Sequence, residues 1–184
     1  MKSASINMPP AKEDGMELLK KIASQAENTT GFVFHGSHQL HANLEPQLVY
    51  WKDPKGKLYP DSDGAVVCAS DKPYIPVFMA LLPRNSDWGY VSNGRGQGLT
   101  YYIEKLYKEE FQRATGYVLV LDSKNFQKVV PPIPAGWKYD MPIGGRQAEM
   151  RSKDPVAVSY AIKVTFTDFE MLVQLEGNSK IEYR

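Results

Sequence analysis

Cysteine is almost missing from this 184-residue chain; Cys68 is the only one. An intrachain disulfide is therefore excluded, and a zinc site would need at least three ligands of other kinds. Histidine is scarce too. His35, His38 and His41 are spaced by three, but they fall where a strand is expected to end in a loop, so no helical face aligns them for a metal. Charge of one sign is not in excess: 22 basic against 21 acidic residues leave a net charge of +1. Nothing global then attracts nucleic acid or an anionic membrane. No apolar run approaches the roughly 20 residues of a membrane span, and the first ten residues lack the apolar core of a signal peptide. A cytoplasmic location is expected. Heptads and internal repeats are also absent.

What is present is an ordinary globular balance. Hydrophobic residues make up 42% and charged residues 23%, enough for one domain with a sizeable core. Residues 1–13 are polar and contain Pro9-Pro10. They are expected to form a flexible tail ahead of a single domain, 14–184. Asp14 is placed to cap a helix running to about Glu27, with Leu18, Leu19, Ile22 and Ala26 on one face. Residues 47–64 have loop composition, with a hairpin possible through Val49-Tyr50-Trp51 and Lys57-Leu58-Tyr59.

Ala65-Val-Val-Cys-Ala69 reads as a short buried strand. Ser70 or Asp71 would then cap a helix with Pro73 in its first turn and Pro83 at its end. Asn93-Gly-Arg-Gly-Gln-Gly98 is glycine-rich but lacks the ending and following helix of a phosphate-binding P-loop, and is read as a surface loop. Thr100 to Arg113 reads two ways: Ile103, Leu106, Tyr107 and Phe111 fit a helix, but Leu99 to Ile103 also fits a strand, and the second half is read as helix. Gly116-Tyr-Val-Leu-Val-Leu121 is a strand, and residues 129–148 a long loop. Val156 to Phe166 alternates, with Tyr160, Ile162, Val164 and Phe166 on one side. Thr167-Asp-Phe-Glu170 reads as a capping box opening a helix to about Leu175. The count of five to seven strands and two or three helices, without a βαβ rhythm, makes the fold class α+β with mainly antiparallel sheets.

Phe32-Val-Phe-His35-Gly-Ser37 is the chemically loaded stretch. The apolar triplet favours a buried strand. Gly36 permits a turn, or a close approach that a Cβ would block. His35 and Ser37 thus lie at a strand end, where polar groups can converge on a small molecule.

Phe34-His35-Gly36-Ser37, Leu44-Glu-Pro46 and Val66-Val-Cys-Ala69-Ser70, in that order, resemble the ADP-ribosyltransferase superfamily, more narrowly its small bacterial and phage members. Gly116-Tyr-Val-Leu and Glu149-Met-Arg-Ser152 are similar to its later strands. The resemblance spans about residues 30–169, on fewer than 25 specific positions. It implies two small, mainly antiparallel sheets forming a cleft for NAD, with flanking helices. It implies His35 on a ribose hydroxyl, the Gly36 backbone on the carboxamide, and Ser37 and Ser70 beside them. Tyr74 and Phe78 would supply aromatic faces, and Glu149 would serve as the catalytic carboxylate. The activity implied is transfer of ADP-ribose from NAD to an acceptor the sequence does not identify, or NAD hydrolysis. Two departures matter. Val67 stands where the family carries a stacking tyrosine, which favours a nucleotide-binding module without catalysis. Gln147, Arg151 and Ser152 compete with Glu149; an Arg151 facing the pocket would favour RNA 2′-phosphotransfer.

Overall fold

The computed structural model describes residues 12–25, 27–53, 55–86, 88–92, 98–130, 132–136, 138 and 149–184. The elements run α1 (Lys12–Ala23), β1 (Phe32–Ser37), β2 (Asn43–Leu44), β3 (Gln47–Lys52), β4 (Leu58–Ala69), α2 (Tyr74–Leu81), β5 (Trp88–Ser92), β6 (Leu99–Ile103), α3 (Lys108–Arg113), β7 (Thr115–Asp122), β8 (Gln127–Val129), β9 (Glu149–Ser152), β10 (Val156–Thr165), α4 (Phe166–Leu175) and β11 (Lys180–Tyr183). The fold is α+β. Its strands form three sheets among the described residues, not two: β1-β7-β10-β2, β3-β4-β9-β8 and β11-β6-β5. Every pairing is antiparallel except β11 with β6. The first two sheets touch where Phe34 and Ser70 exchange backbone hydrogen bonds of 2.9 and 2.8 Å.

The sheet holding β7 is covered on both faces. Val118 and Val120 pack toward the helices, with Phe34, Phe78, Leu81, Phe111 and Phe169. Leu119 and Leu121 pack the other way, with Val33, Val67, Phe126 and Val156. That is why β7 reads as an unbroken apolar run and not as an alternation. In β10 the register shifts between Val158 and Tyr160. The bulge reverses the parity, so Val156 and Val158 join the second cluster while Tyr160, Ile162 and Val164 join the first.

Several expectations need correction. Helix α1 begins at Lys12, so Asp14 lies in its first turn and not at its cap; residues 1–11 of the expected tail lie outside the described residues. Strand β4 has 12 residues; most of the supposed 47–64 loop is the β3–β4 ribbon, with Trp51 opposite Tyr59 as the hairpin reading has it. Ser70 and Asp71 do not cap α2, whose N-cap is Pro73 without a side-chain bond. The capping box of α4 is Thr165 with Asp168, two residues before the expected Thr167–Glu170 pair. Two Thr-x-x-acid frames overlap here, and the end of β10 selects the earlier one. Part of the expected 129–148 loop, like Asn93 to Gln97 of the glycine-rich loop, lies outside the described residues.

Helix α2 lies so close to β1 and β7 that two glycines are required beneath it. A Cβ on Gly36 would sit 2.1 Å from the Pro76 carbonyl oxygen, and one on Gly116 would sit 2.1 Å from that of Ala80. The glycine of His-Gly-Ser is therefore fixed first by helix packing.

Candidate active site

A cavity of about 280 Å³ opens where β1, β4, α2, β5 and β9 meet. It is near the lower end of the roughly 300–1,000 Å³ of small-molecule sites. Strand β1 contributes Phe34, His35 and Gly36; β4 and its end contribute Cys68, Ala69 and Ser70; α2 contributes Ile75, Pro76 and Met79. Trp88 and Tyr90 come from β5, Glu149 from β9 and Val49 from β3.

His35 Nδ1 lies 2.7 Å from the Cys68 carbonyl oxygen. A carbonyl only accepts, so Nδ1 carries the proton and Nε2 holds the lone pair. Burial lowers the His35 pKa below its ordinary 6.5, outweighing the opposite effect of the Cys68 contact; nearby His41 acts with burial. The ring is then held toward its neutral form, in which Nε2 can accept a hydrogen bond from a hydroxyl.

The Phe34–Ser70 bridge fixes which way the edge of β1 points. Alternation along a strand directs the N–H and C=O of Gly36 to the same edge as those of Phe34. The bridge is an isolated one, so β1 and β4 part beyond it, and Gly36 lines the cavity. One donor and one acceptor side by side match a primary carboxamide.

Glu149 opens β9, its side chain 30% exposed and so reachable from the cavity. One carboxylate oxygen accepts from Arg151 Nε at 3.0 Å. Cys68 joins the two functional groups, its carbonyl holding His35 and its thiol hydrogen-bonded to Glu149. Burial, with the Glu149 charge, pushes that thiol up to about 12, so it stays protonated and unreactive. Burial and the same carboxylate push the Tyr90 phenol up to about 12, leaving a neutral hydroxyl near Glu149.

The structure brings together His35, Gly36, Ser70 and Glu149. It does not bring in Ser37, Tyr74 or Phe78. Ser37 Oγ accepts from the Gln39 N–H and locks the following turn. Tyr74 turns to Glu176. Phe78 is fully buried, stacked on Phe169 with ring centroids 5.5 Å apart. Its ring meets Trp88 edge-on at 6.1 Å, so it stands behind the cavity wall and does not form it. Val67 is likewise buried, in the second core cluster. The aromatic walls are Trp88 and Tyr90, which sequence reasoning missed. Trp-Gly-Tyr is an alternating signature, but it sits among Asn, Ser and Gly residues that read as loop. Gly89 hides the strand further. It is opposite Tyr102, whose hydroxyl would lie 2.2 Å from a Cβ there.

Among the described residues no group of three or more His, Cys, Asp or Glu is arranged to hold a metal, and no helix is long and apolar enough to cross a membrane. No family model, curated protein or solved structure matches the chain.

Proposed function

We propose that this cavity takes the nicotinamide-ribose half of NAD, and that the chain is an ADP-ribosyltransferase-like enzyme of the cytoplasm. The carrying observation is the convergence of an accepting His35 and a carboxylate, Glu149, in one cavity walled by Trp88 and Tyr90. The nicotinamide ring stacks on the aromatic wall, and its carboxamide pairs with the Gly36 backbone. His35 Nε2 accepts from a ribose hydroxyl. When the bond from ribose C1′ to the nicotinamide nitrogen breaks, its electron pair leaves with neutral nicotinamide. Positive charge then grows on the ribose, within the field of Glu149. One such charge pair at about 4 Å and an effective dielectric near 20 is worth on the order of 4 kcal/mol, or about a thousandfold in rate. Water or a nucleophile on an acceptor macromolecule then takes the ADP-ribose.

A nucleotide-binding module without turnover is the second reading, favoured by the missing tyrosine at Val67. RNA 2′-phosphotransfer has less support, because Arg151 points to Asp61 and Glu149 and is only 3% exposed. Calorimetric titration with NAD separates these readings when paired with a nicotinamide-release assay. Binding with release supports the enzyme. Binding without release supports the module. No binding removes both.

A further inference from the structure

The cavity does not absorb the most buried charges of the described chain. Arg151 and Asp61 have side chains 3% and 0% exposed, and they are joined fork to fork: Nη1 to Oδ1 at 3.1 Å and Nη2 to Oδ2 at 2.9 Å. Trp51 Nε1 donates to Asp61 at 3.3 Å. The remaining guanidinium nitrogen, Nε, donates to Glu149 at 3.0 Å. Residues i and i+2 of a strand share a face, so Glu149 and Arg151 lie side by side along β9, and Arg151 faces Cys68 across β4.

The consequence for Glu149 is geometric. A glutamate at the start of a strand, partly exposed, has three torsions to lose on ordering. Arg151 holds one of its oxygens, and Arg151 cannot rotate because both its terminal nitrogens are pinned by Asp61. Of Asp61, Arg151 and Glu149, the one that reaches the cavity is Glu149.

We infer that Asp61 and Arg151 are positioning residues: Asp61 fixes the Arg151 guanidinium, which holds the Glu149 carboxylate in place at the cavity. The catalytic consequence rests on the proposed NAD cleavage; the positioning itself does not.

Two measurements on the full chain keep those apart. The first is the exchange rate of the Arg151 Nε–H with water, read by nitrogen-detected NMR. Slow exchange is expected in the wild type, becoming about tenfold or more faster in Asp61→Asn, because a guanidinium released from its clamp loses protection. Fast exchange in the wild type, or no change in Asp61→Asn, overturns the positioning whether or not NAD is cleaved. The second is nicotinamide release by Asp61→Asn, Glu149→Gln and the double variant. Asp61→Asn is expected to lower kcat about tenfold to a hundredfold with KM little changed, as small misplacements do. In the Glu149→Gln background the same change should cost less than about twofold, because residues acting as one unit are not additive. Multiplying losses would mean that Asp61 serves the fold and not Glu149. A wild type that releases no nicotinamide removes the proposed activity and leaves the exchange measurement to decide the positioning.

Discussion

Replacing Gly36 by alanine should unseat helix α2. The new Cβ would lie 2.1 Å from the Pro76 carbonyl oxygen, 2.9 Å from the Ala80 nitrogen and 3.0 Å from the Met79 Cβ. Two of these neighbours are backbone atoms, and ordinary contact needs well over 3 Å. The helix must therefore lift by more than an ångström along a face that carries Val77, Phe78 and Leu81, all fully buried. Overpacking costs about 1–3 kcal/mol where side chains can adjust; with backbone in the way, about 3 kcal/mol or more is expected. In a chain of this size that lowers Tm by roughly 6–12 °C. Gly31→Ala is the internal comparison. Gly31 has φ +75 and nothing within 4 Å of a built Cβ, so only the left-handed backbone penalises alanine, by about 1–2 kcal/mol. Urea denaturation of both variants gives the two costs directly. If Gly36→Ala cost no more than Gly31→Ala, the packing argument would be refuted, and Gly36 would be kept for its ligand-facing edge alone.

Stability should fall as pH drops through about 6.5, in part because of His35. Burial lowers its folded pKa below 6.5, so in that window the unfolded chain holds a proton that the folded chain does not, and protonation favours unfolding. The loss between pH 7 and pH 5, read from urea midpoints, should be shallower in His35→Gln. Arg151→Met leaves Asp61 without its bidentate partner in a fully buried position and should cost about 3–5 kcal/mol, while the paired change with Asp61→Leu should recover much of that; equal losses would contradict it. Phe78→Ala should cost about 3–5 kcal/mol as a core truncation. Trp88→Ala, at a residue 37% exposed, should weaken NAD binding about three- to tenfold by calorimetry.

Where the sequence was legible, one physical signal dominated. The buried strands β1 and β7 and the alternation in β10 follow from side chains meeting a core, and the β3–β4 hairpin from its Asp-Pro-Lys-Gly turn. His35 was expected at the strand's end, but β1 runs through it to Ser37. What escaped was set by tertiary contacts. Glu149-Met-Arg-Ser was reached only through the resemblance; its composition reads as polar chain, and it takes Asp61, 90 positions away in sequence, to satisfy Arg151. Lys180-Ile-Glu-Tyr is too charged to read as a strand, yet it finds a parallel partner in β6. Phe78 carries an aromatic face at plausible spacing, but the turn of α2 directs it at Phe169 and Phe111. Gly36 was read as making room for a turn or a ligand; it makes room for the Pro76 carbonyl.

Nicotinamide release from NAD by the wild type and by Glu149→Gln tests the central claim most directly. Steady release by the wild type, falling by about a hundredfold or more in Glu149→Gln on the charge-pair energy above, is the expected result. Equal release by both proteins would contradict the assignment of that carboxylate.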